Sequence, residues 1–250
     1  MQVQITVRAV RRLFVVAIGL LLAAHLSVVV GRLVLRMGPL LEWRLLLDFD
    51  EEHNLPTLYS SFALMVCAAL LTSIGMRHRL QGDKFRCWLF LGAVFAFMAT
   101  DEVVQFHERI DQLRGGALQR WRVSGWVLPY LAAAATLGLC LWRFLWDLPA
   151  RHRNWFLLAG AIFVGGTVGF ELLGPFAQRR GPAYYAVCYT CEELLEMTGV
   201  AVFALGLLDY AVRVFGGLSV SVVASTDAPL RSKPVRARAA PELAQSSCDA

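Results

Sequence analysis

Apolar residues fall along this chain in blocks of about twenty, each long enough at helical rise to cross a bilayer's hydrocarbon core. The blocks run 13–35, 58–76, 87–106, 126–146, 155–173 and 184–214. Short polar pieces separate them. This pattern predicts an all-α, polytopic transmembrane helix bundle of about six spans. Only His25, Ser27 and Arg32 interrupt the first block. That block is too long for a secretory signal core, and no small-x-small cleavage site follows it, so it reads as a retained first span. The sixth block is longer than a span needs, which predicts tilt or projection beyond the membrane.

The connections alternate in charge. Residues 1–12 form a basic N-terminal arm with Arg8, Arg11 and Arg12. The 77–86 and 151–153 connections are also basic, and the others are acidic, neutral or mixed. With both termini cytoplasmic, six spans satisfy the positive-inside rule, apart from Arg109 to Arg122 and Arg179-Arg180, which fall outside. Residues 38–56 mix Leu and Trp with an acidic end and read as an interfacial segment on the outer surface. Residues 215–250 gain Ser, Ala, Pro, Lys and Arg and predict a disordered cytoplasmic tail.

Composition agrees with the blocks: 57% of residues are hydrophobic and 17% charged, against roughly 25% charged in an ordinary soluble domain. Orientation accounts for the net charge of +5, so no nucleic-acid partner is needed. The lipid bilayer is the expected partner, and no protein partner is indicated.

Candidate chemistry lies where ionisable residues enter the apolar blocks, since such residues are costly at membrane depth and usually face the bundle interior. Asp101, Glu102, His107 and Glu108 close the third block or lie just past it. Glu171 lies in the fifth, and Glu192, Glu193 and Glu196 in the sixth. Asp101 and Glu102 lie about 21 Å from the cytoplasmic start of their span, and Glu171 about 24 Å. Span six runs the other way, so Glu192 and Glu193 lie about 12 Å below its outer end and Glu196 about 18 Å. These heights place the carboxylates in one outer layer, with the acidic 48–53 piece above it and His25 able to look in. Helical spacing puts Asp101, Gln105 and Glu108 on one face, with Glu102 and His107 turned elsewhere; Glu192 and Glu196 share another. Carboxylates crowded away from water share protons, pair with Arg109 or Arg32, or bind a cation.

Three functional readings compete. The acids with His107 supply the ligand types of a divalent metal site, which would open the way to a metal-dependent membrane enzyme. They equally suit a protonatable or cation-coupling site in a transporter or sensor. A purely structural polar cluster in a membrane scaffold is the third. No Glu-x-x-His occurs, and Glu102 to His107 is the wrong spacing for one face. Cys188-x-x-Cys191 is a candidate redox pair near the outer end of span six, with helix packing as the alternative. Gly165 and Gly169 form a small-xxx-small pair that predicts close helix approach just below Glu171.

Four pieces together resemble an uncharacterised family of bacterial multipass membrane proteins. They are residues 48–61, Asp101-Glu102 with His107-Glu108, Gly169-Phe170-Glu171-Leu172, and Glu192 to Met197. The resemblance covers about residues 10–214. It implies a membrane location and no known activity, and it carries over no catalytic residue; the expected location is a bacterial inner membrane. The histidine boxes of membrane desaturases and the facing histidines of a b-type haem bundle are both missing from the sequence.

Overall fold

The computed structural model describes residues 6–35, 45–106, 109 and 126–217. The acidic-cluster candidates His107 and Glu108, most of the outer loop to Arg122, residues 38–44 of the interfacial segment and the tail from 218 onward lie outside the described residues.

Six helices account for the fold among the described residues: α1 Val7–Leu33, α2 Leu55–Gln81, α3 Arg86–Val104, α4 Val127–Asp147, α5 Ala150–Arg180 and α6 Pro182–Phe215. Each is long and apolar enough to cross a membrane. Local chemistry sets several ends. Thr6 Oγ1 caps α1 by accepting from the Ala9 N–H at 3.2 Å. Asn54 Oδ1 caps α2 by accepting from the Thr57 N–H at 2.9 Å, with Pro56 in the first turn, where a missing N–H costs nothing. Gly82 closes α2 at φ +78°.

Two ends depart from the spacing argument. α3 stops at Val104, because Gln105 takes a left-handed conformation at φ 59°. The backbone therefore turns at Gln105, so the helical face expected from Asp101 does not continue through Gln105, and Glu108 lies outside the described residues. α5 does not stop at Gly174-Pro175 but runs on to Arg180, through Pro175. Pro175 has no N–H to give to the Glu171 carbonyl four residues back, so the ladder loses one rung there. A membrane helix tolerates such a loss where neighbouring protein covers it.

α6 is the axis of the bundle. It packs along α5 and also touches α2 and α1, while α3 packs on α2. Its 34 residues give a rod of about 51 Å, well beyond a hydrocarbon core of about 30 Å. At the end carrying the basic connections, a tight apolar core joins α2, α3, α5 and α6, with Leu71, Ile74, Trp88, Ala204 and Leu207 buried.

The α5–α6 contact is made of glycine, but not of the expected pair. A Cβ at Gly165 or Gly169 would meet no atom within 4 Å. Gly166 is the buried one: a Cβ there would lie 2.8 Å from Leu195 Cβ and 3.2 Å from the Glu192 carbonyl oxygen. One would lie 2.9 Å from the Phe163 backbone nitrogen at Gly199. The small-residue spacing was readable, but the rotation of the helix turns position 166 toward α6 and 165 and 169 away. Gly166→Ala and Gly199→Ala are each expected to destabilise the bundle by about 1–3 kcal/mol. Gly165→Ala and Gly169→Ala are expected to be neutral or slightly stabilising. SDS-titrated unfolding in mixed micelles separates the two pairs.

Candidate functional site

At the opposite end from the basic connections, a polar layer is assembled from the 45–54 segment and the ends of several helices. Its best-defined part is a clamp around Asp48 and His25. His25 is fully buried in α1 and Asp48 is 2% exposed. The Phe49 N–H donates to His25 Nδ1 at 3.1 Å. That fixes Nδ1 as an acceptor, so the ring hydrogen sits on Nε2 and reaches Thr190 Oγ1 of α6 at 2.9 Å. Thr190 in turn donates to the Ala186 carbonyl. Phe49 stacks on the imidazole with centroids 4.1 Å apart, and Tyr189 meets its edge. Nδ1 lies 3.5 Å from Asp48 Oδ1, a contact between a lone pair and a carboxylate while the ring is neutral.

Arg32 supplies the charge that Asp48 needs. It donates to Asp48 Oδ2 at 3.3 Å and to the Tyr189 hydroxyl at 2.6 Å. Asn54 adds a second tie, its side-chain amide donating to the Asp48 and Glu51 carbonyls. One asparagine thus starts α2 and closes the preceding turn. The clamp fastens the 45–54 segment to α1 and α6. Spacing pointed to His25 and Arg32 only loosely, and it missed Asp48, Asn54, Tyr189 and Thr190 as partners. The readable signal was an Asn two residues before a Pro, with an aspartate six residues upstream.

Beneath and beside this clamp lie the acids. Glu193 is in electrostatic reach of Glu196 and Glu192 on its own helix, of Glu102 on α3 and of Glu52 in the clamped segment. Glu192 is in reach of Glu196, of Glu171 on α5 and of Asp50. Glu102, Glu171, Glu192, Glu193 and Glu196 therefore share one neighbourhood with Asp50 and Glu52. Asp101 is held to one side: it is buried and accepts a hydrogen bond from the Tyr130 hydroxyl of α4 at 2.9 Å. Glu102, which face reasoning turned away, is the α3 acid that reaches α6. Gly166 explains Glu171, which stands about 7.5 Å further along α5, where the two helices are already in close contact.

Asp50, like Glu52, is an exposed member. It reaches the surface, yet enough protein crowds it that loss of water lifts its carboxyl above the usual range. The Tyr185 hydroxyl donates to it and opposes that rise, while Asp48 and Glu51 add to it and Arg32 offsets part of it. Tyr185 also interacts with Gln178 and Glu171 of α5, so it stands between the surface acid and the interior ones.

Among the described residues, no three His, Cys, Asp or Glu side chains come close enough together to hold a metal ion. Cys188 is buried and Cys191 half-buried, both as thiols. Cys188 Sγ donates to the Phe170 carbonyl of α5 at 3.4 Å, a contact that serves α5–α6 packing.

Six membrane-length apolar helices joined by a polar layer near one end define a multi-pass helical membrane protein. The chain belongs to the family of the domain of unknown function DUF8692, whose model matches residues 12–211. No curated protein and no solved structure matches it.

The clamp yields a double-mutant test. Arg32→Met leaves Asp48 buried without its guanidinium and is expected to cost about 3 kcal/mol. Arg32→Met combined with Asp48→Asn removes both charges and should recover much of that loss. His25→Phe keeps an aromatic ring but strands the Phe49 N–H, at about 1–3 kcal/mol. Equilibrium unfolding in mixed micelles reads all three.

Proposed function

We propose that this protein is a cation-binding membrane protein whose shielded acidic chamber exchanges protons, or a weakly held metal cation, with one side of the membrane. The observation that supports it is the mutual electrostatic reach of carboxylates from α3, α5, α6 and the clamped segment. Like charges gathered this way in an apolar bundle repel one another, and taking up a cation relieves the repulsion. Packing alone needs no such gathering, because apolar side chains would fill the same volume at lower cost.

The lack of a tight ligand group among the described residues favours protons, or a loosely coordinated ion, over a fixed catalytic metal. In the same reading the basic connections face the cytoplasm, both termini lie there, and the chamber opens outward from a bacterial inner membrane. Asp50, exposed and hydrogen-bonded by Tyr185, is the group through which the chamber meets the aqueous phase.

Thermal stability of the purified protein, followed across pH and with added Na⁺, Ca²⁺, Mn²⁺ or Zn²⁺, tests this. Glu193→Gln and Glu196→Gln are expected to insert normally and to flatten the dependence on pH and on cations. Lower stability with both dependences unchanged would mean that the acids only pack the helices. Stoichiometric metal surviving purification in mild detergent would point to a metal-dependent enzyme.

A further inference from the structure

The basic end of the bundle carries a patch that the acidic chamber does not use. It surrounds the turn at Leu148 and Pro149 that joins α4 to α5. Trp142 and Trp146, one turn apart on α4, stack with centroids 4.1 Å apart, and they are 53% and 49% exposed. The Arg153 guanidinium sits 4.8 Å from the Trp146 ring centre. Arg143 is exposed on the same last turns of α4. Nearby cations are already matched: Lys84 with Asp147 at 3.0 Å, and Arg151 and Arg213 with Asp209. Among the described residues neither Arg143 nor Arg153 has a carboxylate partner.

A single exposed tryptophan at a helix end is ordinary in a membrane protein. Two stacked on each other, one of them under an arginine and both beside cations lacking acids, make a more specific surface. Indole rings settle at headgroup depth, where one edge is wet and the face is apolar. An arginine held over such a ring keeps its outward N–H groups for a phosphate, which they match in geometry. Below the patch, α4 presents Leu139 at 78% and Leu131 at 40% exposure, and α5 presents Leu157 and Leu158. A ligand that fits both parts is anionic at one end and long-chained at the other.

We propose that the α4–α5 turn is a docking site for an anionic phospholipid, its phosphate between Arg143 and Arg153 and its acyl chains along the exposed faces of α4 and α5. Charge favours this occupant: the carboxylates beside the turn, Asp147 and Asp209, are already paired with Lys84, Arg151 and Arg213, which leaves Arg143 and Arg153 without a carboxylate partner among the described residues. The reading depends on the helices crossing a membrane and not on what the acidic chamber binds.

The test is native mass spectrometry and thermal shift of the full chain in mild detergent. It uses phosphatidylglycerol, phosphatidylcholine with the same acyl chains, and inorganic phosphate. Phosphatidylglycerol is expected to bind and raise the melting temperature, and the other two are expected to do neither. Arg143→Gln with Arg153→Gln should weaken that binding about thirtyfold, at about 1 kcal/mol per cation. Arg8→Gln with Arg11→Gln removes the same charge from the same end of the bundle and should leave binding within about twofold of wild type. Arg153→Lys keeps the charge but loses the planar stack, and should fall between wild type and the Arg143/Arg153 double variant. Equal loss in the two double variants would reduce the effect to diffuse surface charge and overturn the site. An equal response to phosphatidylcholine or to inorganic phosphate would overturn the occupant.

Discussion

The arrangement of this bundle depends on how closely α5 approaches α6. At Gly166 the α5 backbone lies against the α6 backbone between Glu192 and Glu196, and at Gly199 the relation is reversed, with Phe163 of α5 against the α6 glycine. Two glycines on opposite partners make a reciprocal contact. In lipid there is little hydrophobic force to draw two apolar helices together, so dispersion at such close contacts carries much of the association. The contact also fixes the rotation of both helices. Once position 166 faces α6, Glu171 is carried to the level of Cys188, within electrostatic reach of Glu192, and Glu193 comes within reach of Glu102 on α3. A side chain at either glycine would separate the rods and with them the acids.

A gathering of carboxylates opposes that contact. The clamp works in the other direction by holding the 45–54 segment down on α1 and α6. Asp48 pairs with Arg32, His25 is stacked and hydrogen-bonded on both ring nitrogens, and Asn54 ties the turn while capping α2. Buried ion pairs rarely add much net stability, because desolvation consumes most of the attraction. Their value here is positional. The imidazole accepts from the Phe49 main-chain N–H, which fixes the register of the segment against α1. The same segment delivers Asp50 and Glu52 to the rim of the acidic layer, and a less exact attachment would leave that rim undefined.

The six helices were legible because the bilayer imposes a length on apolar blocks, and that length survives any detail of packing. That Glu102, Glu171, Glu192, Glu193 and Glu196 come within electrostatic reach near one end of the bundle was approachable for a similar reason, since rise per residue is nearly constant in a helix. Rotation about the helix axis was not legible. It misassigned the tight contact to Gly165 and Gly169, and it put Asp101 ahead of Glu102. Both errors arise from neighbours the sequence does not name: α6 selects Gly166, and Tyr130 of α4 draws Asp101 aside. Backbone chemistry explains the remaining differences. A glutamine in the left-handed region ends α3 early, and a proline that looked like a stop is carried inside α5.

The two ends of the molecule solve opposite electrostatic problems. At the basic end, lone carboxylates are ringed by cations: Asp209 accepts from Arg151, Arg213 and the buried His152. Lys84 matches Asp147, while Arg143 and Arg153 have no carboxylate partner among the described residues, and what remains is positive charge facing outward. At the other end Arg32 is committed to Asp48, and the acids deeper in the layer outnumber the cations near them. Neutrality can be approached at the first end by lipid phosphate lying alongside, without any change inside the bundle. At the second end the compensation is confined to Arg32 on Asp48, and the carboxylates of α3, α5 and α6 still repel one another.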